Sequence, residues 1–440
     1  MCNMNRPSAP ERIPTDEVIP LGRLDGTEFN ASLKVDFAMQ FDDALDVDHL
    51  IDALERLLQR PGWRKLGARL RRNNKGTFEY HVPKQYTKER PCIHLSRAAH
   101  DFALSEHPLA SQLPRPKDNI HVTSPMGPLR PLVLPEGQHA TADDWLYTDR
   151  AQLGVDVVTL TNATFVTLNW LHTLLNGMGR NELLRAWRLM LEGRDDEVLE
   201  FYGYDFDPLD TLGELVNPTS ADKGAPVEDY VLKEQKVAGW AMLQFVFNYL
   251  WEILFYRSEE LRTVILPNRM FEKLKAEAFN DLRLLHQPRL LPDSAAFIAN
   301  CTSIIQSFFT LQELLKLPLG QIAARIRSDL VTQSTRPQIE AVKRLQRMAQ
   351  AETGRDPLYG GGDMGNMFGT DFRAALVDLK DGKKSSTGKP VCILADATVT
   401  GINVRNSGVC LRKDNEGNWW LSATLRTASW DTVRAAIEGL

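Results

Sequence analysis

The stretch VDVVTLTNATFVTLNWLHTLLNGMGRNELLRAWRLMLEG, residues 155–193, constrains this chain more than any other. Two runs rich in Val, Thr and Phe flank Asn162 and predict a pair of buried strands. Directly after them Leu183, Leu184, Trp187, Met190 and Leu191 recur at helical spacing. A strand pair feeding a helix requires a sheet with a helix packed on it, so the fold class is α/β.

The same grammar recurs along the chain. Leu33–Phe41 alternates as a strand, and Asp46 or Asp48 can cap a helix whose Leu50, Leu54, Leu57 and Leu58 share one face. Leu66–Arg71 and Thr77–Val82 form a predicted hairpin about the turn 73–76. The proline-rich stretch from Arg90 to Glu136 reads as a long connection with little structure of its own. Helical patterns are predicted at Trp240–Tyr256, Asn268–Leu285, Ala295–Leu315 and Gln338–Gln350. Strands follow at Lys389–Ala397, Ser407–Lys413 and Asn418–Leu425, and a helix at Ser429–Gly439. The aromatic residues of the Trp240–Tyr256 helix are expected in the core.

The polar segment Asn217–Asp229, broken by two prolines and a glycine, reads as a crossing between domains. It divides the chain into residues 1–216, a 217–229 linker and residues 230–440. Each half holds strands and helices, so two α/β layers meeting at a cleft are the expected architecture.

Charge narrows the partners. A net charge of -5 across 440 residues gives no electrostatic footprint for nucleic acid or an anionic membrane. No helix-turn-helix with a basic face is visible, which speaks against a DNA-binding regulator. The first residues contain no signal-peptide core and no later stretch reaches the length of a membrane span, so a cytoplasmic protein is expected. The five cysteines are scattered without metal-ligand spacing, so no metal is expected. A small-molecule partner and a monomer are the remaining expectations.

Within NWLHTLLNGMG, residues 169–179, a histidine stands where a β-run ends and a glycine-bearing turn begins. A neutral imidazole at such a junction can take a proton from an alcohol or amine attacking a carbonyl. His172 is therefore the candidate general base. Strand alternation places Trp170 on its face, so both are expected to line one cleft. The glycine-rich GGGDMG, residues 360–365, follows no strand and has no Lys-Ser/Thr end, which argues against a phosphate loop.

At His172 the chain resembles the H-x-x-x-D-G signature of the BAHD acyltransferases, in the fungal, trichothecene acetyltransferase-like branch. RTVILPNRMFEKLKAEA, LPLGQIAARIRSDLVTQSTRPQIEAVKRL and NWWLSATLRTASWDTVRAAI resemble, in order, the family's stretch after the crossover, a long second-domain helix, and the C-terminal strand and helix. The resemblance implies two similar domains, each with a mixed sheet flanked by helices, and an active-site channel between them. It also implies acyl-CoA as co-substrate with no bound cofactor, His172 as base, and Trp170, Asn176, Gly177 and Asn366 near the substrate. Backbone donors around Gly177–Gly179 would then help hold the acceptor.

Two departures stand out. Asn176 replaces the signature aspartate, which in the family forms a structural ion pair. The second signature, D-F-G-W-G, survives only as LVDLKDGKKSSTGKP, with Asp378 as the leading, structural aspartate. Acyl transfer to a hydroxyl or amine of a fungal polyketide or terpenoid is the first reading. The alternative is the same fold turned to a CoA-independent cyclisation or pericyclic step, with shape and a few hydrogen bonds as the catalytic means.

Overall fold

The computed structural model describes residues 8, 10–123, 127–135, 141–214, 228–256, 258–279, 295–300, 304–365, 368–371, 389–399, 406–414 and 416–438. In chain order its strands are β1 (Glu17–Pro20), β2 (Leu33–Phe41), β3 (Arg69–Arg72), β4 (Phe78–Val82), β5 (His94–Ala99), β6 (His121–Val122), β7 (Gly154–Leu160) and β8 (Ala163–Leu171). They continue with β9 (Glu200–Phe201), β10 (Glu259–Leu266), β11 (Ala295–Ala296), β12 (Phe368–Asp371), β13 (Cys392–Val399), β14 (Ser407–Lys413) and β15 (Trp419–Arg426).

Two five-stranded mixed sheets dominate. The first has the order β13-β2-β8-β7-β5 and the second β12-β14-β15-β10-β6. In each, one parallel edge pair, β5 with β7 and β12 with β14, joins an otherwise antiparallel ladder. The halves of the chain exchange strands. β13, from the second half, pairs with β2 with Asp396 opposite Asp36, and β6, from the first, pairs with β10 with Val122 opposite Val264.

β8 is central in the first sheet and wholly buried. On one side lie the helices Val47–Gln59 and Gly177–Leu191, joined where Trp187 Nε1 donates to the Leu50 carbonyl at 2.9 Å. On the other, the Thr167 hydroxyl donates to the Val133 carbonyl and Asn169 Nδ2 donates to Asp156 at 2.7 Å. The two polar side chains of this buried face are thereby satisfied, as burial demands.

The first helix is capped by Asp46, whose carboxylate accepts from the His49 N–H. The predicted hairpin forms as β3 and β4, with Gly76 at φ +80° in its turn, where only glycine is unstrained. A 3-10 turn at Trp63–Gly67 takes the place of the first predicted strand residues.

Three expectations are corrected. The Arg90–Glu136 connection contains β5 and β6; β5 is an edge strand with no fully buried residue, so it lacks the apolar alternation that marks buried strands. The 295–315 helix shrinks to Leu311–Lys316, begun by a capping box between Thr310 and Glu313, while 295–296 pair in parallel with Glu200–Phe201. The long second-domain helix is two helices, Leu319–Gln333 and Arg336–Thr353, because Pro337 can occupy only the first turn of a new helix.

The aromatic helix, Gly239–Phe255, departs furthest from expectation. It packs through Ala241, which lies against Gly362, through Asn248, which donates to the Gly362 carbonyl, and through Glu252, which pairs with Arg426. Its other faces are open: Trp240 is 79% and Phe247 63% exposed. Apolar side chains surround the helix almost completely, so composition pointed to the core. The residues that seat it, Ala241, Asn248 and Glu252, are instead small or polar and stand seven and four apart on one face.

Of the 217–229 linker, 217–227 lie outside the described residues.

Candidate active site

His172 begins the turn that follows β8. Its N–H donates to the Leu33 carbonyl at 2.9 Å, which extends the β2–β8 ladder by one bond. The chain then turns through Thr173 and Leu174, and the Leu174 N–H donates back to the Leu171 carbonyl. Asn176 caps the next helix: its Oδ1 accepts from the Gly179 N–H at 2.9 Å and its carbonyl from the Arg180 N–H. Asn serves this role as well as Asp, so the departure from the family signature leaves the helix start intact.

Gly179 has a reason to be glycine. A Cβ there would lie 2.0 Å from the Ile298 carbonyl oxygen, so the main chain of the second half passes directly over the helix start. Its N–H is committed to the Asn176 cap, so of the donors expected around Gly177–Gly179 for the acceptor this one is not free. Gly177 is buried as the first helical residue.

Trp170 is corrected too. It is buried in the core, and its Nε1 donates to the Leu175 carbonyl at 2.9 Å, bracing the turn from the strand side. The alternation used to aim it alongside His172 ends at Leu171, because β8 ends there. Among the described residues no arginine side chain hydrogen-bonds the Asn176 side chain; the Arg180 guanidinium instead lies over the Phe37 ring at 4.0 Å and donates to Asn181. Asn366 and Asp378 fall outside the described residues.

The His172 ring is partly exposed, but Nδ1 is closed off from solvent and has no hydrogen-bond partner among the described residues. The open edge therefore carries Nε2. Burial favours the uncharged ring and lowers its pKa to about 4, with its own main chain opposing weakly. At neutral pH the imidazole is a free base.

Sequence reasoning missed two residues beside it. Asn300 Nδ2 donates to the His172 carbonyl at 2.8 Å, and Asp25 Oδ1 accepts from both Nδ2 and the main-chain N–H of Asn300. Asp25 is pushed up to about 6 by burial, against the lowering effect of the Asn300 bonds and of Lys65. Asp25, Lys65, Asn300, Tyr204 and Asp207 line a cavity of about 230 Å³ behind the turn. Neither Asp25 nor Asn300 lies in a motif, so no local signal marks them.

No group of three or more His, Cys, Asp or Glu among the described residues is arranged to hold a metal. No described helix is long and apolar enough to cross a membrane.

No family model matches the chain. Individual proteins do. The acetyltransferase sphE of Aspergillus fumigatus is 30% identical, covering 96% of this chain and 95% of its own length. The chain belongs to the fungal BAHD-type acyltransferase family. Another relative, the transcriptional regulator calD of Penicillium decumbens, is 32% identical over 98% of this chain and 97% of its own. The O-acyltransferase pboC of Aspergillus ustus is 30% identical, with 92% and 95% covered. Solved structures agree on the fold. F. sporotrichioides TRI101, complexed with coenzyme A and T-2, gives a TM-score of 0.60 at 13% identity over 95% of this chain and 97% of that one. Vinorine synthase gives 0.54 at 13%, with 98% and 96% covered. The two mixed sheets with flanking helices are thus the BAHD acyltransferase fold.

Proposed function

We propose that this protein transfers an acyl group from acyl-CoA to a hydroxyl or amine of a small natural product, with His172 Nε2 as general base. The observation that carries the reading is the state of His172: a neutral ring, open at Nε2, at the end of the central strand of the first sheet. The free base takes the acceptor's proton as its oxygen or nitrogen forms a bond to the thioester carbonyl. The tetrahedral intermediate then collapses, the carbon–sulfur bond breaks, and the proton passes from the imidazolium to the departing CoA thiolate. No covalent acyl-enzyme is required. Family membership supports acyl transfer, and the complex of TRI101 with coenzyme A supports acyl-CoA as donor. The division into residues 1–216 and 230–440 fits one five-stranded sheet to each half, apart from the exchanged β6 and β13.

Calorimetric titration with acetyl-CoA, followed by thiol release with candidate acceptors, tests the reading. Wild-type and His172→Ala proteins should both bind with micromolar affinity, and the variant should lose about 10²–10⁴-fold in turnover. Absence of binding across an acyl-CoA panel would refute acyl transfer. The rate should stay level from pH 8 to about 5 and fall only as pH approaches 4, because protonation removes the base. An ordinary histidine would lose activity near pH 6.5.

One observation favours a second reading. A ring whose conjugate acid has a pKa of about 4 is a weak base, better fitted to organising a substrate than to deprotonating it. In a CoA-independent cyclisation or pericyclic step, the same cleft would act by shape and hydrogen bonding. A flat acyl-CoA titration combined with turnover of a polyene substrate would support it.

A further inference from the structure

The orientation of His172 has an unusual basis. In many catalytic histidines a carboxylate or carbonyl bound at one ring nitrogen aims the other. Here Nδ1 has no hydrogen-bond partner among the described residues, so the ring is aimed by packing and by the main chain that carries it. That main chain is held at both ends of the residue. The N–H donates to Leu33, and the carbonyl accepts from Asn300.

Asn300 is built into its place. It is 4% exposed and Asp25 is 7% exposed. One amide nitrogen donates at 2.7 Å to Asp25 Oδ1 and at 2.8 Å to the His172 carbonyl, and the main-chain N–H of Asn300 donates to the same Asp25 oxygen at 2.8 Å. Two residues earlier the Ile298 carbonyl lies against Gly179. A single segment of the second half thus touches the His172 turn at its first residue and again at the helix start.

We propose that Asn300 is a positioning residue, anchored by Asp25, that sets the direction of the His172 imidazole by fixing the peptide plane of residue 172. The proposal rests on His172 as the base. Asparagine meets the requirement because its amide supplies two protons at once, one for each acceptor. Aspartate has the same shape and neither donor; it would set a second carboxylate against Asp25 and an oxygen against the carbonyl. For Asp25 the need is an acceptor rather than a charge, since all its bonds to Asn300 end on Oδ1. Asparagine at 25 can still supply that oxygen.

The test uses the full chain with isotope-labelled histidine. Imidazole NMR resonances of His172, assigned by their loss in His172→Ala, are followed with pH, alongside kcat and KM for acetyl-CoA. Asn300→Asp should shift the His172 resonances and titration midpoint and lower kcat about tenfold or more, with KM changed less than about twofold. Asp25→Asn should recover most of what Asp25→Leu loses in both readouts. If Asn300→Asp fails to fold, Asn300→Ser, which keeps one donor, replaces it with the same expectation. A folded variant with unmoved resonances and unchanged kcat would overturn the proposal, as would equal damage from Asp25→Asn and Asp25→Leu. If the wild type neither binds nor uses acyl-CoA while Asn300→Asp still moves the resonances, the acyl-transfer reading fails and the positioning role stands. Loss of activity in His172→Ala with none in Asn300→Asp gives the reverse.

Discussion

The central strands of the two sheets are buried to very different extents. All nine residues of β8 are buried, whereas β15, central in the second sheet, buries Trp419, Trp420 and Ser422 and leaves its remaining residues partly exposed. The first sheet is covered on one side by two long helices and on the other by the chain around Val133 and Arg150. In the second half a small cluster of Tyr230, Leu232, Ala341, Val342 and Tyr359 stands apart from the main core, and the aromatic helix turns much of its apolar surface outward. The candidate base therefore sits on the better-packed half, and the other half contributes a segment that leans on it. Catalytic groups need such support, because small displacements of a base are costly in rate.

The contrast yields graded expectations. Phe165→Ala, in the middle of β8, should lower stability by about 3–5 kcal/mol, through lost burial and the cavity left in a packed sheet. Urea unfolding measures it, and a loss below about 1 kcal/mol would mean that the first half is no tighter than the second. Asn176→Ala should cost about 1 kcal/mol by removing the cap, whereas Asn176→Asp should stay near wild type, since the carboxylate can accept from the Gly179 N–H as the amide does. A large loss in the aspartate variant would show that a negative charge is not tolerated at the turn. Phe247→Ser, on the open face of the aromatic helix, should change stability by less than about 0.5 kcal/mol. A loss of several kcal/mol would place that side chain in a packed interface and erase the difference between the halves.

Much of the first half was legible because its signals are short in range. The β7–β8 pair follows from two β-rich runs separated by Thr161 and Asn162, and β2 from simple alternation. The start of the helix after His172 follows from Asn176 and the apolar period behind it. The second half was read less well. Apolar residues around residues 295–315 suggested a helix that tertiary contacts replace with a short parallel pairing and a capped turn. In the aromatic helix the secondary structure was right and the burial wrong, because periodicity reports which residues share a face but not what covers that face.

The candidate site divides along the same line. The sequence by itself determined the strand, the turn with His172, and the cap, since each depends on residues within about four positions of one another. Only the tertiary structure decided that Asn300 would reach the His172 carbonyl across 128 residues of chain, and that Asp25 would hold Asn300 across 275. It also decided that Trp170 would brace the turn instead of facing the cleft, and that His172 would be stripped of water at Nδ1 and kept neutral. The reason is physical. Caps and strand alternation arise from local backbone geometry that any reading of the sequence can count, whereas long-range hydrogen bonds and desolvation exist only once the two halves have closed on each other.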